Sequence, residues 1–329
     1  MKKGFVFGLI LSGIFLYLAF RKVNLKDLKM AFSQAEYIYL IPVTLLVLFS
    51  QWLRSYRWGL ILEPVKRLDQ WTLFSLTSVG YMAILLLPIR LGEFARPYLL
   101  NRKYGLGLSS TLATITIERV FDGLTLMIVL AFVIATVPLP KWVANAGIIM
   151  LTMFFSLFVL LLSLAIKRDY STKVINGFSS KFPHSISKRM IHLLTSFLDG
   201  LEILPSLRKN VFVAFLSVTL WITIGFIIYL LFLSFKFDLP LIAAYTVLTL
   251  TALGVMLPAA PGFVGNFHIF VIIALTLFKI PKSEALTFAI MLHFINVGLI
   301  ILLGLIFLPH NAISLSKIYQ IKQVVTHTE

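Results

Sequence analysis

Six runs of apolar residues are long enough to cross a lipid bilayer as α-helices, and this limits the possible folds more than any other feature. About 20 apolar residues are needed to span ~30 Å of hydrocarbon. The chain is 59% hydrophobic and 13% charged, whereas about a quarter of a soluble domain is charged. We therefore predict an all-α polytopic membrane protein with a single transmembrane domain over residues 1–329. The predicted full spans are 4–20, 37–61, 109–137, 141–166, 211–235 and 283–308.

Two further apolar segments, 70–104 and 240–280, are interrupted by proline and glycine. The interrupting residues are Pro88, Gly92 and Pro97 in the first segment and Pro258, Pro261 and Gly262 in the second. Proline removes a helix donor and clashes with the preceding turn, while glycine frees the backbone. Each segment is therefore predicted to form a broken or re-entrant helical hairpin enclosed by protein or facing a wet cavity.

The two broken segments have similar surroundings, which suggests inverted repeats. Each lies between two full spans, so the proposed units are 37–137 and 211–308. Leu87-Pro88 corresponds to Leu257-Pro258, and a glycine follows four residues after each proline. Units of opposite orientation that meet near the bilayer midplane are common in transporters. The alternative is that Leu-Pro and glycine recur by chance.

The basic residues predict the orientation of the chain. The formal charge is +16, which we interpret as loop bias and attraction to anionic lipid rather than nucleic-acid binding. The longest loop, 167–210, has eight Lys and Arg against three acids and is predicted to be cytoplasmic. Both termini are then cytoplasmic in a multi-pass protein of the cell membrane. Residues 21–36 are predicted to form an interfacial amphipathic helix.

Charged residues inside the first broken segment and the following span are the main candidates for a binding site. They are Arg90, Glu93, Arg96, Glu118, Arg119 and Asp122. A charge at the centre of a membrane helix costs ~2.5–3.5 kcal/mol on insertion scales, so its presence needs a reason. One explanation is a neutral ion-pair cluster that fixes the fold. The other is an arginine that remains partly free to hold an anion, because its planar fork suits phosphate oxygens.

A second group of polar residues has weaker signals. It comprises Arg54, Arg57, His268, His293 and Asn296. The arginines are expected to snorkel to the headgroup region beside Trp52 and Trp58, or else to extend the cationic lining. The histidines are expected to be hydrogen-bonded packing residues, with a proton relay as the alternative, and Asn296 to bond to a neighbouring helix.

The sequence lacks the motifs that are typical of several classes of enzyme and metal site. The chain has no cysteine, P-loop, His-Glu-x-x-His zinc motif, Gly-x-Ser-x-Gly elbow or aspartate-rich run. We therefore expect no metal, no other cofactor, no catalytic residue and no nucleic-acid partner.

Three motifs together resemble a known family. They are LPIRLGEFARPYLL, then ERVFD, then LPAAPGFVGNFH. With them the chain resembles the flippase-like membrane domain of lysylphosphatidylglycerol synthases, the multiple peptide resistance factors, and its stand-alone relatives. The resemblance implies that the six main candidates form the polar centre of a translocation path. Many members carry an acidic residue near the position of His268. The synthases add an aminoacyl-transferase domain that the resemblance does not extend to.

The leading hypothesis is a flippase-like transporter that moves a phospholipid or a lipid-linked headgroup between leaflets. Its partners would be membrane lipids with an anionic phosphate headgroup. One alternative is an integral membrane enzyme with Glu93, Glu118 or Asp122 as general base. Another is a membrane subunit that scaffolds a synthase. A homo-oligomer is also compatible with the sequence.

Overall fold

The computed structural model describes residues 2–21, 23, 25–139 and 141–311, and within them it contains thirteen α-helices and no strand. The all-helical class is therefore confirmed. The helices are α1 (Lys2–Phe20), α2 (Leu25–Gln34), α3 (Leu40–Leu62), α4 (Gln70–Leu86), α5 (Ala95–Tyr104), α6 (Leu108–Thr136), α7 (Lys141–Ile166), α8 (Arg168–Ser179), α9 (His184–Gly200), α10 (Leu207–Ser234), α11 (Leu241–Met256), α12 (Asn266–Thr276) and α13 (Lys282–Phe307).

Five described helices are long and apolar enough to cross a membrane: α3 with the short turn before it, α6, α7, α10 and α13. They coincide with five of the six predicted spans. The sixth predicted span, 4–20, lies in α1, where the apolar stretch with described side chains is Leu9–Phe20 and is shorter than a full span.

Both predicted interruptions are present, and proline explains where each helix stops. Helix α4 ends one residue before Leu87, whose backbone is extended at φ −90° and ψ 137°. Helix α11 ends one residue before Leu257, at φ −69° and ψ 150°. A residue that precedes proline is pushed out of the helical region, so Pro88 and Pro258 end these helices. Short 3-10 turns follow, at Pro88–Phe94 and Pro261–Phe263, before α5 and α12 begin.

Gly92 allows the first interruption to fold back onto its own helix. A Cβ atom at this position would lie 2.1 Å from the backbone nitrogen of Ile84. No side chain fits at that separation, so glycine is required for the 3-10 turn to pack against the end of α4. This contact holds the following residues, including Glu93 and Arg96, beside the core.

Helices α3 and α10 pack antiparallel. Near the start of α3, the amide of Glu36 donates to the carbonyl of Ser234 at 2.8 Å. Near its end, Lys209 pairs with Glu63 at 2.8 Å. The two units predicted from the sequence therefore begin with helices that run in opposite directions.

The order of elements in the first unit recurs in the second. The first runs α3, α4, 3-10 turn, α5, α6, and the second runs α10, α11, 3-10 turn, α12, α13. The contacts between units also correspond, since α4 packs against α13 and α6 packs against α11. Helix α1 packs against α12, and α2 packs against α13.

The predicted loop 167–210 is largely helical. It contains α8 and α9, and α9 packs against α6. The approach is close at Gly200, where a Cβ atom would lie 2.2 Å from the carbonyl oxygen of Ser110. This segment is therefore attached to the membrane core, and its cytoplasmic location stays a prediction.

Candidate functional site

A buried ion-pair network lies where α3, α4, α5 and α6 meet, and Glu118 is its centre. This carboxylate is fully buried and accepts hydrogen bonds from four donors. The donors are Arg57 at 3.3 Å, Arg96 at 2.7 Å, Arg119 at 3.0 Å and the hydroxyl of Tyr81 at 3.1 Å. The carboxylate therefore connects three other helices to α6.

Asp122, one turn later in α6, extends the network to α10. Its two oxygens accept from Arg57 at 2.6 and 3.1 Å, and the indole of Trp221 donates to it at 3.2 Å. Arg57 also donates to the hydroxyl of Ser217 at 2.8 Å. Arg119 approaches Asp122 at 3.7 Å, as the spacing of three residues predicts.

The network combines three arginines with three carboxylates, since Glu93 also interacts electrostatically with Arg119. Arg57, Arg96 and Arg119 face the carboxylates of Glu118 and Asp122. Buried ion pairs of this kind fix the positions of the helices that carry them, and removal of one partner leaves an uncompensated charge in the interior. Arg57, Arg96 and Glu118 are essentially inaccessible, at 0–1% exposure, as expected of residues that hold helices together rather than contact a ligand directly.

Arg96 is also held by aromatic rings. Its guanidinium carbon lies 4.8 Å from the ring centroid of Trp58 and 5.6 Å from that of Tyr81. Trp58 is fully buried and donates to Thr114 at 3.2 Å. The prediction that Trp58 belongs to an interfacial belt is therefore wrong, and so is the expectation that Arg57 snorkels.

Arg54 differs from the arginines of the network. Its guanidinium carbon lies 4.7 Å from the ring centroid of Tyr81, a cation–π contact. Among the described residues it forms no ion pair and no hydrogen bond. It is half-buried and lies in the walls of two cavities. Arg54 thus contacts an aromatic ring but forms no ion pair within 4.0 Å in the described part of the chain.

The larger cavity has a volume of about 470 Å³ and lies between the two units. Its charged wall is formed by Arg54, Glu93, Arg119 and Asp122, and Arg119 keeps 32% of its side chain exposed. The remaining wall is mainly apolar and includes Leu126, Phe154, Ile227, Ile228, Leu248 and Met256. A cavity of this size and character is typical of a small-molecule site with few polar contacts.

The smaller cavity, of about 190 Å³, borders the second interruption. It shares Arg54, Phe267 and Asn296 with the larger cavity, and Gln51 and His293 also line it. The two cavities are therefore adjacent and meet at the side chain of Arg54.

The polar residues of the second interruption are hydrogen-bonded to its backbone. Nε2 of His293 lies 2.8 Å from the carbonyl of Gly262, and the rings of His268 and His293 are 4.8 Å apart at nearly right angles. His293 is therefore a hydrogen-bonded packing residue, as predicted. Asn296 was predicted to bond to another helix, but its amide donates to Leu292 of its own helix at 2.9 Å.

Helix α1 contributes to the same interruption. The hydroxyl of Ser12 accepts from the amide of Ala260 at 2.7 Å and lies 3.4 Å from the side-chain oxygen of Asn266. Asn266 is fully buried, and its amide nitrogen lies 3.3 Å from the carbonyls of Gly254 and Pro258. These contacts satisfy backbone groups that the break leaves without helical partners.

The structure brings most of the predicted site residues together. Arg96, Glu118, Arg119 and Asp122 share one network, and Glu93 lies in the wall of the larger cavity beside it. The side chain of Arg90 lies outside the described residues.

Tyr81, Ser217 and Trp221 were not predicted to belong to the site. Tyr81 carried a weak signal, since it is a polar aromatic residue within the apolar part of α4. Ser217 and Trp221 are four residues apart in α10, and their roles come from the packing of α10 against α3 and α6.

Comparison with known proteins agrees with the resemblance noted above. A family model described as the lysylphosphatidylglycerol synthase TM region matches residues 5–304. A UPF0104 membrane protein of Methanothermobacter thermautotrophicus is 22% identical over 307 residues, covering 88% of this chain and 90% of that protein. A UPF0104 membrane protein of Methanocaldococcus jannaschii is 28% identical over 228 residues, covering 67% and 90% respectively. No solved structure matches the chain.

Proposed function

Because the chain belongs to the family of the lysylphosphatidylglycerol synthase transmembrane region, a family of multi-pass membrane proteins, we propose that it is a flippase-like lipid transporter. Its substrate would be a phospholipid or a lipid-linked molecule with an anionic phosphate, moved between the leaflets of the cell membrane. The observation that carries this proposal is Arg54, a cation that forms no ion pair among the described residues and lies where two cavities join.

Arg54 has the energetic position expected of a ligand-binding cation. A charged residue at membrane depth costs ~2.5–3.5 kcal/mol on insertion scales unless an opposite charge compensates it. Tyr81 offsets part of this cost, by ~0.5–2 kcal/mol for a cation–π contact. A phosphate that enters the cavity would supply the missing charge, and the guanidinium fork matches two of its oxygens. The buried network beside it would keep Arg54 and Arg119 in place.

The larger cavity also fits an amphiphile. Its charged wall suits a headgroup, and its apolar wall, with residues such as Phe154 and Ile228, suits the first part of an acyl chain. The rest of the chain would remain in lipid. In this arrangement the headgroup is shielded from hydrocarbon while it crosses the membrane.

The two units would provide alternating access. Their recurring order of elements, their antiparallel first helices and their corresponding contacts support an inverted repeat with two re-entrant hairpins. Rocking of one unit against the other would open the cavity to each leaflet in turn. The orientation with both termini in the cytoplasm is part of this proposal.

An enzymatic role is less well supported by the carboxylates. Glu118 accepts four hydrogen bonds, three of them from arginines, and Asp122 is bonded by Arg57 and Trp221. Glu118 is fully buried and both carboxylates are occupied by protein donors, which leaves little access for the proton of a substrate.

Leaflet-resolved lipid movement in proteoliposomes tests the proposal. Purified protein is reconstituted with a fluorescent phosphatidylglycerol, and dithionite quenching reports the fraction in the outer leaflet over time. Arg54→Gln is expected to slow movement about 10- to 100-fold, the effect of losing a charge-assisted hydrogen bond of ~1.5–3 kcal/mol. The matched control is Arg67→Gln, which alters an arginine with 83% exposure. If the two variants move lipid at the same rate as wild type, the proposal is wrong.

A further inference from the structure

We propose that the smaller cavity is a subsite for an uncharged, hydrogen-bonding headgroup, such as a polyol, esterified to the phosphate that Arg54 holds. This inference rests on the proposed function, since it concerns the same lipid substrate. It assigns the substrate class, a phosphodiester lipid with a neutral hydroxylated headgroup, and it assigns a specificity role to Gln51.

Gln51 is the residue whose environment points to a ligand. Its side chain is 1% exposed and borders the smaller cavity. Neither its amide nitrogen nor its amide oxygen has a hydrogen-bond partner among the described residues. Buried polar groups are almost always paired, and an exception needs an explanation. Because Gln51 lines the cavity, a ligand there with two adjacent hydroxyls would offer a partner to each of these amide groups.

The position of Gln51 relative to Arg54 matches the geometry of a phosphodiester. The two residues are three apart in α3, so they lie on the same face and are separated by a rise of about 4.5 Å. A phosphate bound by Arg54 therefore places its ester substituent beside Gln51. Arg54 lines both cavities, so the phosphate would sit where they join.

The charge of the smaller cavity selects against a cationic headgroup. Its described lining contains no carboxylate, and its only charged member is Arg54. The other polar residues there, Ser50, Gln51, His293 and Asn296, offer uncharged donors and acceptors. An ammonium group would meet a like charge and no anion, whereas a polyol would find several partners.

The test uses short-chain lipids that differ only in the headgroup. Dihexanoyl phosphatidylmethanol and dihexanoyl phosphatidylglycerol carry the same phosphodiester charge, and only the second adds hydroxyls. Dihexanoyl phosphatidylethanolamine adds an ammonium group. The dissociation constant of each is measured by isothermal titration with the full chain in detergent. Wild type is expected to bind phosphatidylglycerol about 10-fold tighter than phosphatidylmethanol, the effect of about two net hydrogen bonds.

Two variants address the subsite. Gln51→Leu is expected to reduce the 10-fold preference for phosphatidylglycerol over phosphatidylmethanol to about 1, so that the two lipids bind equally well. The same substitution at an exposed position, Gln34→Leu, is expected to keep it. Ile300→Phe narrows the same cavity from another wall and is expected to reduce the preference even if Gln51→Leu does not fold.

The outcomes separate this inference from the proposed function. Equal affinity for the first two lipids in wild type, with binding that still depends on Arg54, overturns the subsite and leaves the transporter proposal intact. Tighter binding of phosphatidylethanolamine than of phosphatidylglycerol also overturns it. If no lipid binds, or if Arg54→Gln has no effect on any of them, the proposed function fails and the subsite fails with it.

Discussion

Glu118→Gln tests whether the buried network fixes the fold. The substitution keeps the size of the side chain and removes its negative charge. In wild type the carboxylate accepts hydrogen bonds from Arg57, Arg96, Arg119 and Tyr81 at 2.7–3.3 Å. In the variant, Arg96 loses its ion-pair partner among the described residues, and the new amide nitrogen points a donor at other donors.

The expected loss of stability follows from the burial of these groups. Glu118, Arg57 and Arg96 are 0–1% exposed, so water cannot replace the lost partner. Removal of one member of a buried ion pair costs about 3–5 kcal/mol. With a melting-temperature change of roughly 2 °C per kcal/mol for a chain larger than 150–250 residues, the midpoint should fall by about 6–10 °C.

Thermal unfolding of the detergent-solubilised protein, followed by intrinsic tryptophan fluorescence, measures this change. The matched control is Glu63→Gln, because Glu63 also pairs with two cations, Arg67 and Lys209, but at the surface. Surface ion pairs contribute little, so the control midpoint should stay within about 1 °C of wild type. The reasoning is refuted if Glu118→Gln melts at the same temperature as the control.

Two further predictions concern the first interruption and the surface ion pair. Gly92→Ala should sharply reduce the yield of folded protein in size-exclusion chromatography, because the new Cβ atom would lie 2.1 Å from the backbone nitrogen of Ile84. The control is Gly298→Ala, whose Cβ atom would have no neighbour within 4 Å, so the yield should be unchanged. The hydrogen bond from Lys209 and its charge hold the pKa of the Glu63 carboxyl below its usual range, so Lys209→Met should raise that pKa in a carbon-detected NMR titration. Because the folded pKa is depressed, stabilisation by this pair is present above the unfolded pKa and is lost as the pH falls through the folded value. An unchanged Gly92→Ala yield, or an unshifted Glu63 titration, would contradict the respective argument.

Helices and their interruptions were accessible from the sequence because they depend on local physics. An apolar run of 20 residues has few alternatives to a membrane helix, and a Leu-Pro pair ends a helix wherever it occurs. The predicted breaks at Pro88 and Pro258 therefore agree with the structure to within two residues.

The roles of the arginines depend on packing and could be predicted only in part. Arg54 and Arg57 have similar sequence contexts, since they are three residues apart and each has aromatic residues within two positions. One is fully buried against Glu118 and Asp122, and the other lies at the cavities. The difference arises because α6 and α10 contact one side of α3 at Arg57, and no pattern in α3 itself reports that contact. The weaker group of candidates therefore supplied both Arg57, a member of the buried network, and Arg54, the cation of the proposed site.

The contact between Ser12 and the second interruption has a consequence for biosynthesis. Ser12 meets Ala260 and Asn266, which follow it by 248 and 254 residues. Helix α1 therefore leaves the ribosome well before the second interruption and α12 have been translated. During that interval the Ser12 hydroxyl is without this partner, so α1 must remain near the translocation machinery or pair provisionally with another helix. The contact of Ser12 with Ala260 and Asn266 would then form late in assembly, when α1 packs against the second interruption.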